Sequence, residues 1–193
     1  RAAGAELAGP LGVVGFGGMF AFYTYLNSAL TTDTGLSVSV VPFALMLYGL
    51  GMVTGNFVGG YVADRSVAVA ILGGLTATAL SLGAFAMLAE NAWAALILTY
   101  LVALTGSMML PALQTRLMDV AADAQTLAAA LNHSALNIAN AAGALLGGVV
   151  VSAGYGYLAP SVVGVMLAVA GIAVTVVALA TARRQARHQP VGS

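Results

Sequence analysis

The sequence contains no cysteine and no lysine. Without thiols there are no disulfides and no thiolate metal sites. Charge of either sign is scarce: six arginines and six acidic residues make up 6% of 193 residues, against 61% hydrophobic. A soluble domain carries roughly 25% charged residues, so this chain cannot build a water-facing shell. The formal net charge is zero, which leaves no basic field for nucleic acid. There is no zinc-type histidine pair, no nucleophile elbow and no pair of carboxylates within an apolar run. We therefore expect no metal, no cofactor and no membrane enzyme. A charged, cleavable leader is missing too, and the chain opens on Arg1 rather than Met, so we expect a piece of a longer polypeptide.

What the chain does have is long apolar runs. A helix needs about 20 apolar residues to cross the hydrocarbon of a bilayer. The charges leave uncharged intervals at 7–32, 34–63, 66–89, 91–115 and 124–182. The first four each fit one crossing. The last fits two, with a break at Gly154-Tyr155-Gly156 ahead of Pro160. The expected fold is an all-α membrane protein with transmembrane helices at 9–30, 38–62, 67–89, 92–114, 126–152 and 160–182. A linker end over 1–8 and a tail over 183–193 flank this six-helix bundle. Arg1, Arg65, Arg116, Arg183, Arg184 and Arg187 then fall on one side, while loops 31–37, 90–91 and 153–159 hold no arginine. By the positive-inside rule both termini are cytoplasmic, with a bacterial inner membrane as the expected bilayer.

A repeat divides the six spans. Residues 55–62 read GNFVGGYV and residues 143–150 read GALLGGVV, both G-x-x-x-G-G-x-V. Each lies in the second helix of a three-helix unit, and the two helices run in opposite directions. Inverted three-helix repeats are a recurrent plan of secondary transporters, although G-x-x-x-G also recurs for close packing alone. Gly51, Gly55 and Gly59 line one face of the second span, and Gly143 and Gly147 follow the same spacing in the fifth. All five are candidate packing positions, and a smooth glycine face also permits sliding.

The second span exits into Gly60-Tyr61-Val62-Ala63-Asp64-Arg65. This resembles the loop signature G-x-x-x-D-R-x-G-R-R of the major facilitator superfamily, found between the second and third helices of each six-helix half. Asp64 and Arg65 match, whereas Ser66-Val67-Ala68-Val69 follows in place of the trailing residues; this degenerate form is usual in C-terminal halves. Residues 129–144, AALNHSALNIANAAGA, resemble the eleventh helix of the arabinose-efflux and drug:proton antiporter branch. Phe20-Ala21-Phe22-Tyr23-Thr24-Tyr25 resembles that branch's seventh. The resemblance covers essentially the whole chain. It implies helices seven to twelve of a twelve-helix transporter, whose partner is the N-terminal six-helix half. The implied activity is export of a small molecule, such as a drug or sugar, driven by proton entry. The first, second, fourth and fifth helices would face a central cavity, with the third and sixth facing lipid. Gly60, Asp64 and Arg65 would form a conformational gate. A self-contained homodimeric transporter and a non-transporting membrane scaffold stand as alternatives.

On the helices that the resemblance turns toward the cavity, helical spacing picks out the candidate cavity residues. His133, Asn137 and Asn140 fall within an arc of about 60° on the fifth span. Polar side chains in a membrane face the bundle interior or a wet cavity, and interhelical bonding is the plainer account. Phe16, Phe20, Tyr23 and Asn27 form one stripe on the first span, which packing alone could also explain. Tyr100, Leu104, Ser107, Pro111 and Gln114 share a face of the fourth. Pro111 lacks an N–H and should kink that helix. Trp93 lies near the outer boundary as an interface anchor. Asp33, Asp64, Glu90, Asp119 and Asp123 all map to loops or helix ends. With no carboxylate inside a span, the titrating group of a proton-coupled exchanger is expected in the other half. His133 is the one imidazole inside a span.

Overall fold

A computed structural model describes residues 16–121 and 125–188. The expected linker, the start of the first span, Arg1, Asp123 and the end of the tail lie outside these residues. The described residues are helical almost throughout and contain no strand. Helix α1 covers residues 16–28 and ends in a π-turn, Ala29–Asp33. Helix α2 (Val41–Ala63) is entered through a single turn at Val38–Val40, with Pro42 in its first turn, where a missing N–H is harmless. Helix α3 (Val67–Leu88) starts at Ser66, whose hydroxyl accepts the N–H of Val69 at 3.4 Å. Helix α4 (Ala92–Ser107) starts at Asn91, whose side-chain oxygen accepts the N–H groups of Trp93 and Ala94 at 3.0 and 3.1 Å. Helices α5 (Met109–Ala121), α6 (Gln125–Ser152) and α7 (Ala159–His188) complete the chain.

Among the described residues, five stretches are long and apolar enough to cross a membrane: Val38–Ala63, Val67–Leu88, Ala92–Thr115, Ala129–Ser152 and Ala159–Thr181. Helix α1, described from residue 16, joins the same bundle through buried Phe16, Phe22 and Leu26. Between α6 and α7, Gly154 and Gly156 turn the chain with φ of +87° and +79°, angles that side chains rarely adopt.

Two boundaries differ from the sequence expectation. Residues 116–121, expected as loop, continue α5, and residues 183–188, expected as tail, continue α7. The charges there mark the end of the apolar run, not of the helix. Arginine is a good helix former, and neither segment contains glycine or proline.

The fourth span is interrupted where α4 gives way to α5 at Met108, whose N–H reaches the Leu104 carbonyl at 3.2 Å. The Ser107 carbonyl would normally accept from residue 111, and proline has no N–H to give. The kink expected of Pro111 is therefore seated about one turn ahead of it.

Packing follows the repeat. Helix α2 lies along α4, and a Cβ added at Gly51, Gly55 or Gly59 would strike the backbone carbonyl of Tyr100, Leu104 or Met108. Helix α6 lies along α1 in the same way: Ala139 and Gly143 meet the backbone at Gly17, and Gly147 meets the ring of Tyr25. The second helix of each unit thus sets a stripe of small residues, four apart, on the first helix of the other unit. The third helices, α3 and α7, pack on each other, with Gly164 set between Leu82 and Gly18. Buried Thr78, Thr99, Thr105 and Thr175 return their hydroxyls to carbonyls one turn back at 2.7–2.8 Å. This satisfies them without water. Phe22 meets Phe85 edge-on at 4.8 Å and 86°, tying α1 to α3.

Candidate functional site

Among the five candidate spans, the fourth is the most buried and α6 the least. The open side of α6 carries His133, Asn137 and Asn140, all exposed. None of the three makes a side-chain hydrogen bond among the described residues. The fold therefore does not use them as glue within this bundle. An exposed amide at membrane depth is costly in lipid, so this face calls for water, a ligand or another helix. Asn132 is half-buried beside them.

The aromatic stripe on α1 splits. Phe16 is buried and Phe20 half-buried, while Tyr23 and Asn27 are exposed. Regular spacing placed all four on one side of the helix, but neighbouring elements cover only the Phe16 end. Tyr23 meets Tyr48 of α2 at a ring separation of 4.9 Å, and Tyr48 also lies 6.4 Å from Phe22. Tyr48, Met52 and Asn56 of α2 form a stripe at i, i+4, i+8 that sequence reasoning passed over in favour of the adjacent glycines. The Asn56 amide donates to the Met52 carbonyl at 2.8 Å.

The face assigned to the fourth span is not kept as one face. The Tyr100 and Thr54 hydroxyls are 3.0 Å apart, joining α4 to α2. Ser107 is fully buried, and its hydroxyl has no partner among the described residues. Leu104 and Pro111 are half-buried and Gln114 is exposed. Trp93 is 77% exposed at the start of α4, as an interfacial ring would be. With Phe43, Leu47, Leu96, Ile97 and Tyr100 it borders a groove of about 390 Å³ between α2 and α4.

Asp64 caps the end of α2 and Arg65 follows in the turn; both are exposed. The Arg65 guanidinium lies 3.5 Å from the centre of the Tyr61 ring and donates to the Tyr61 carbonyl at 3.0 Å. The two adjacent charges therefore do not pair with each other. Gly60 borders open space, where a Cβ would meet nothing within 4 Å. Gly60 thus has no share in the close packing that holds Gly59.

Sequence comparison decides what kind of bundle this is. Residues 9–193 match the model of the Major Facilitator Superfamily. The chain belongs to that superfamily. It is similar to the inner membrane transport protein YdhP of Escherichia coli (strain K12), 38% identical over 173 residues, covering 90% of this chain and 44% of the relative. It is also similar to a chloramphenicol resistance protein of Streptomyces lividans, 33% identical over 156 residues, or 80% of this chain and 39% of the relative. The purine ribonucleoside efflux pump NepI of Salmonella enteritidis is 25% identical over 179 residues, or 92% and 43%. The chain spans less than half the length of these relatives. It is a multi-pass membrane protein of a transport family, not of an enzyme family. The open faces of α1 and α6 are accordingly the candidate substrate face of a major facilitator bundle.

Proposed function

We propose that the chain is the C-terminal half of a secondary active exporter, working by alternating access and coupled to protons. Its partner is an N-terminal six-helix half, and its arginine-bearing ends face the cytoplasm of a bacterial inner membrane. The observation that carries this reading is the polar stripe His133, Asn137 and Asn140, left open and unbonded on α6 at membrane depth. A stripe of that kind suits an uncharged substrate that exchanges hydrogen bonds with water, and two relatives are named for efflux or drug resistance. Tyr23 and Asn27 add exposed polar groups from α1. Gly60, Asp64 and Arg65 act as the gate, and the substrate is a small molecule of drug or nucleoside size.

The test is transport by the full-length protein in everted vesicles under an imposed pH gradient, offered adenosine, chloramphenicol and arabinose. Asn137→Leu and Asn140→Leu should each lower export about tenfold, the size of one lost hydrogen bond to a bound ligand, at unchanged protein level. Export by both variants at the wild-type rate would overturn the assignment of this face.

A further inference from the structure

A second groove, of about 270 Å³, opens between α1 and α2. Its wall is Met19, Phe20, Tyr23, Tyr48, Gly49 and Met52. Among the described residues, no charged side chain borders it. Measured along α2 at 1.5 Å per residue, Tyr48 lies about 10 Å from the start of that helix. Two features set this groove apart from the other one. Tyr48 is only 5% exposed, yet its hydroxyl bonds to none of the described residues. The hydroxyl is not among the fully buried polar atoms, so it keeps an opening onto the groove it lines and is free to meet a ligand there. Gly49, beside it, is exposed and leaves the floor open, since a Cβ there would meet nothing within 4 Å. The Tyr23 ring forms one lip, tilted 36° to that of Tyr48 at 4.9 Å.

We propose that this groove binds the flat ring of an uncharged aromatic substrate, with the Tyr48 hydroxyl donating to a nitrogen or oxygen acceptor in or on that ring. The inference rests on the exporter reading above and names the substrate class and subsite within it. The volume is just below the usual range for a whole ligand site, about 300–1,000 Å³. It therefore takes one ring system, leaving the rest of the molecule to the α6 stripe and to other elements. Aromatic walls favour offset or edge contacts with a ring, and methionines at positions 19 and 52 adapt to its outline. Charge is excluded because nothing in the wall could neutralise it at that depth. Sugars are excluded as well, because two phenols cannot satisfy a ring of hydroxyls.

Alkylation of Gly49→Cys in the full-length protein tests this, in a background with no other cysteine. The new side chain enters open space, so the variant should fold. N-ethylmaleimide labelling should slow severalfold with adenosine or chloramphenicol and stay unchanged with arabinose. Tyr48→Phe removes only the hydroxyl and should weaken this protection about fivefold, the size of one neutral hydrogen bond. Tyr23→Leu, at an exposed position, should raise KM for the aromatic compounds without lowering kcat. If neither aromatic compound slows labelling while wild-type vesicles export them, the subsite is wrong and the exporter reading stands. Equal protection by arabinose overturns the substrate class. Protection by adenosine with no export of any compound keeps the subsite and overturns the exporter reading.

Discussion

The Tyr25 hydroxyl donates to the Ala144 carbonyl at 3.1 Å, and a Cβ at Gly147 would stand 2.7 Å from the Tyr25 ring. Two different forces therefore join α1 to α6, and they can be separated. Interhelical hydrogen bonds in membranes are worth about 0.6 kcal/mol on average. Overpacking a close approach costs about 1–3 kcal/mol or more. Tyr25→Phe should lower the Tm of the detergent-solubilised full-length protein only slightly, and Gly147→Leu should lower it far more. A larger drop for Tyr25→Phe would show that the bond, not the close approach, holds the pair.

Gly59 and Gly60 are neighbours with opposite surroundings. A Cβ at Gly59 strikes the Met108 backbone, whereas one at Gly60 meets nothing. Gly59→Ala should destabilise the bundle by about 1–3 kcal/mol. Gly60→Ala should be neutral or stabilise it by up to about 1 kcal/mol through helix propensity. Thermal unfolding of the two variants checks this. Transport lost by Gly60→Ala without loss of stability would then mark gating rather than packing.

Tyr100 shares a hydroxyl contact with Thr54, but Thr54 also bonds the carbonyls of Leu50 and Gly51 at 2.9 and 3.1 Å. Losing the phenol therefore strands nothing. Tyr100→Phe should change stability by less than about 1 kcal/mol, and transport should survive. A transport defect with intact stability would place Tyr100 on the substrate path.

Arg65 is held on its own helix by the Tyr61 ring and carbonyl, and Asp64 points to solvent. If the pair is a gate, these charges exchange partners when the transporter opens to the other side. Asp64→Ala should shift the balance between inward-open and outward-open states, read by spin-label distances in the full-length protein. Unchanged distances and unchanged transport would reduce the pair to a topogenic charge cluster.

Much of the fold was legible because lipid imposes simple rules. Charges bounded the apolar runs, the Gly154-Tyr155-Gly156 turn divided the last of them, and glycines four apart announced where helices touch. The packing then added the pairing of each second helix with the first helix of the other unit. The helices α5 and α7 run on past the expected spans, because charge terminates an apolar run without terminating a helix. The site was less legible. Regular spacing grouped Ser107 with Tyr100 and Gln114, but helices remote in sequence cover Ser107 and leave Gln114 exposed. Phe16 shares a stripe with Tyr23 and is covered by elements far away in sequence. Tyr48 escaped notice because it sits beside the glycine stripe, and nothing in its local spacing shows that its hydroxyl goes unpaired.

The reading depends on water, not lipid, reaching the open face of α6. Asn137→Cys, as the only cysteine of the full-length protein, should react with a membrane-impermeant maleimide, and substrate should slow the reaction. Reaction with a lipid-soluble maleimide alone, at a rate indifferent to substrate, would put that face against the bilayer and contradict the account.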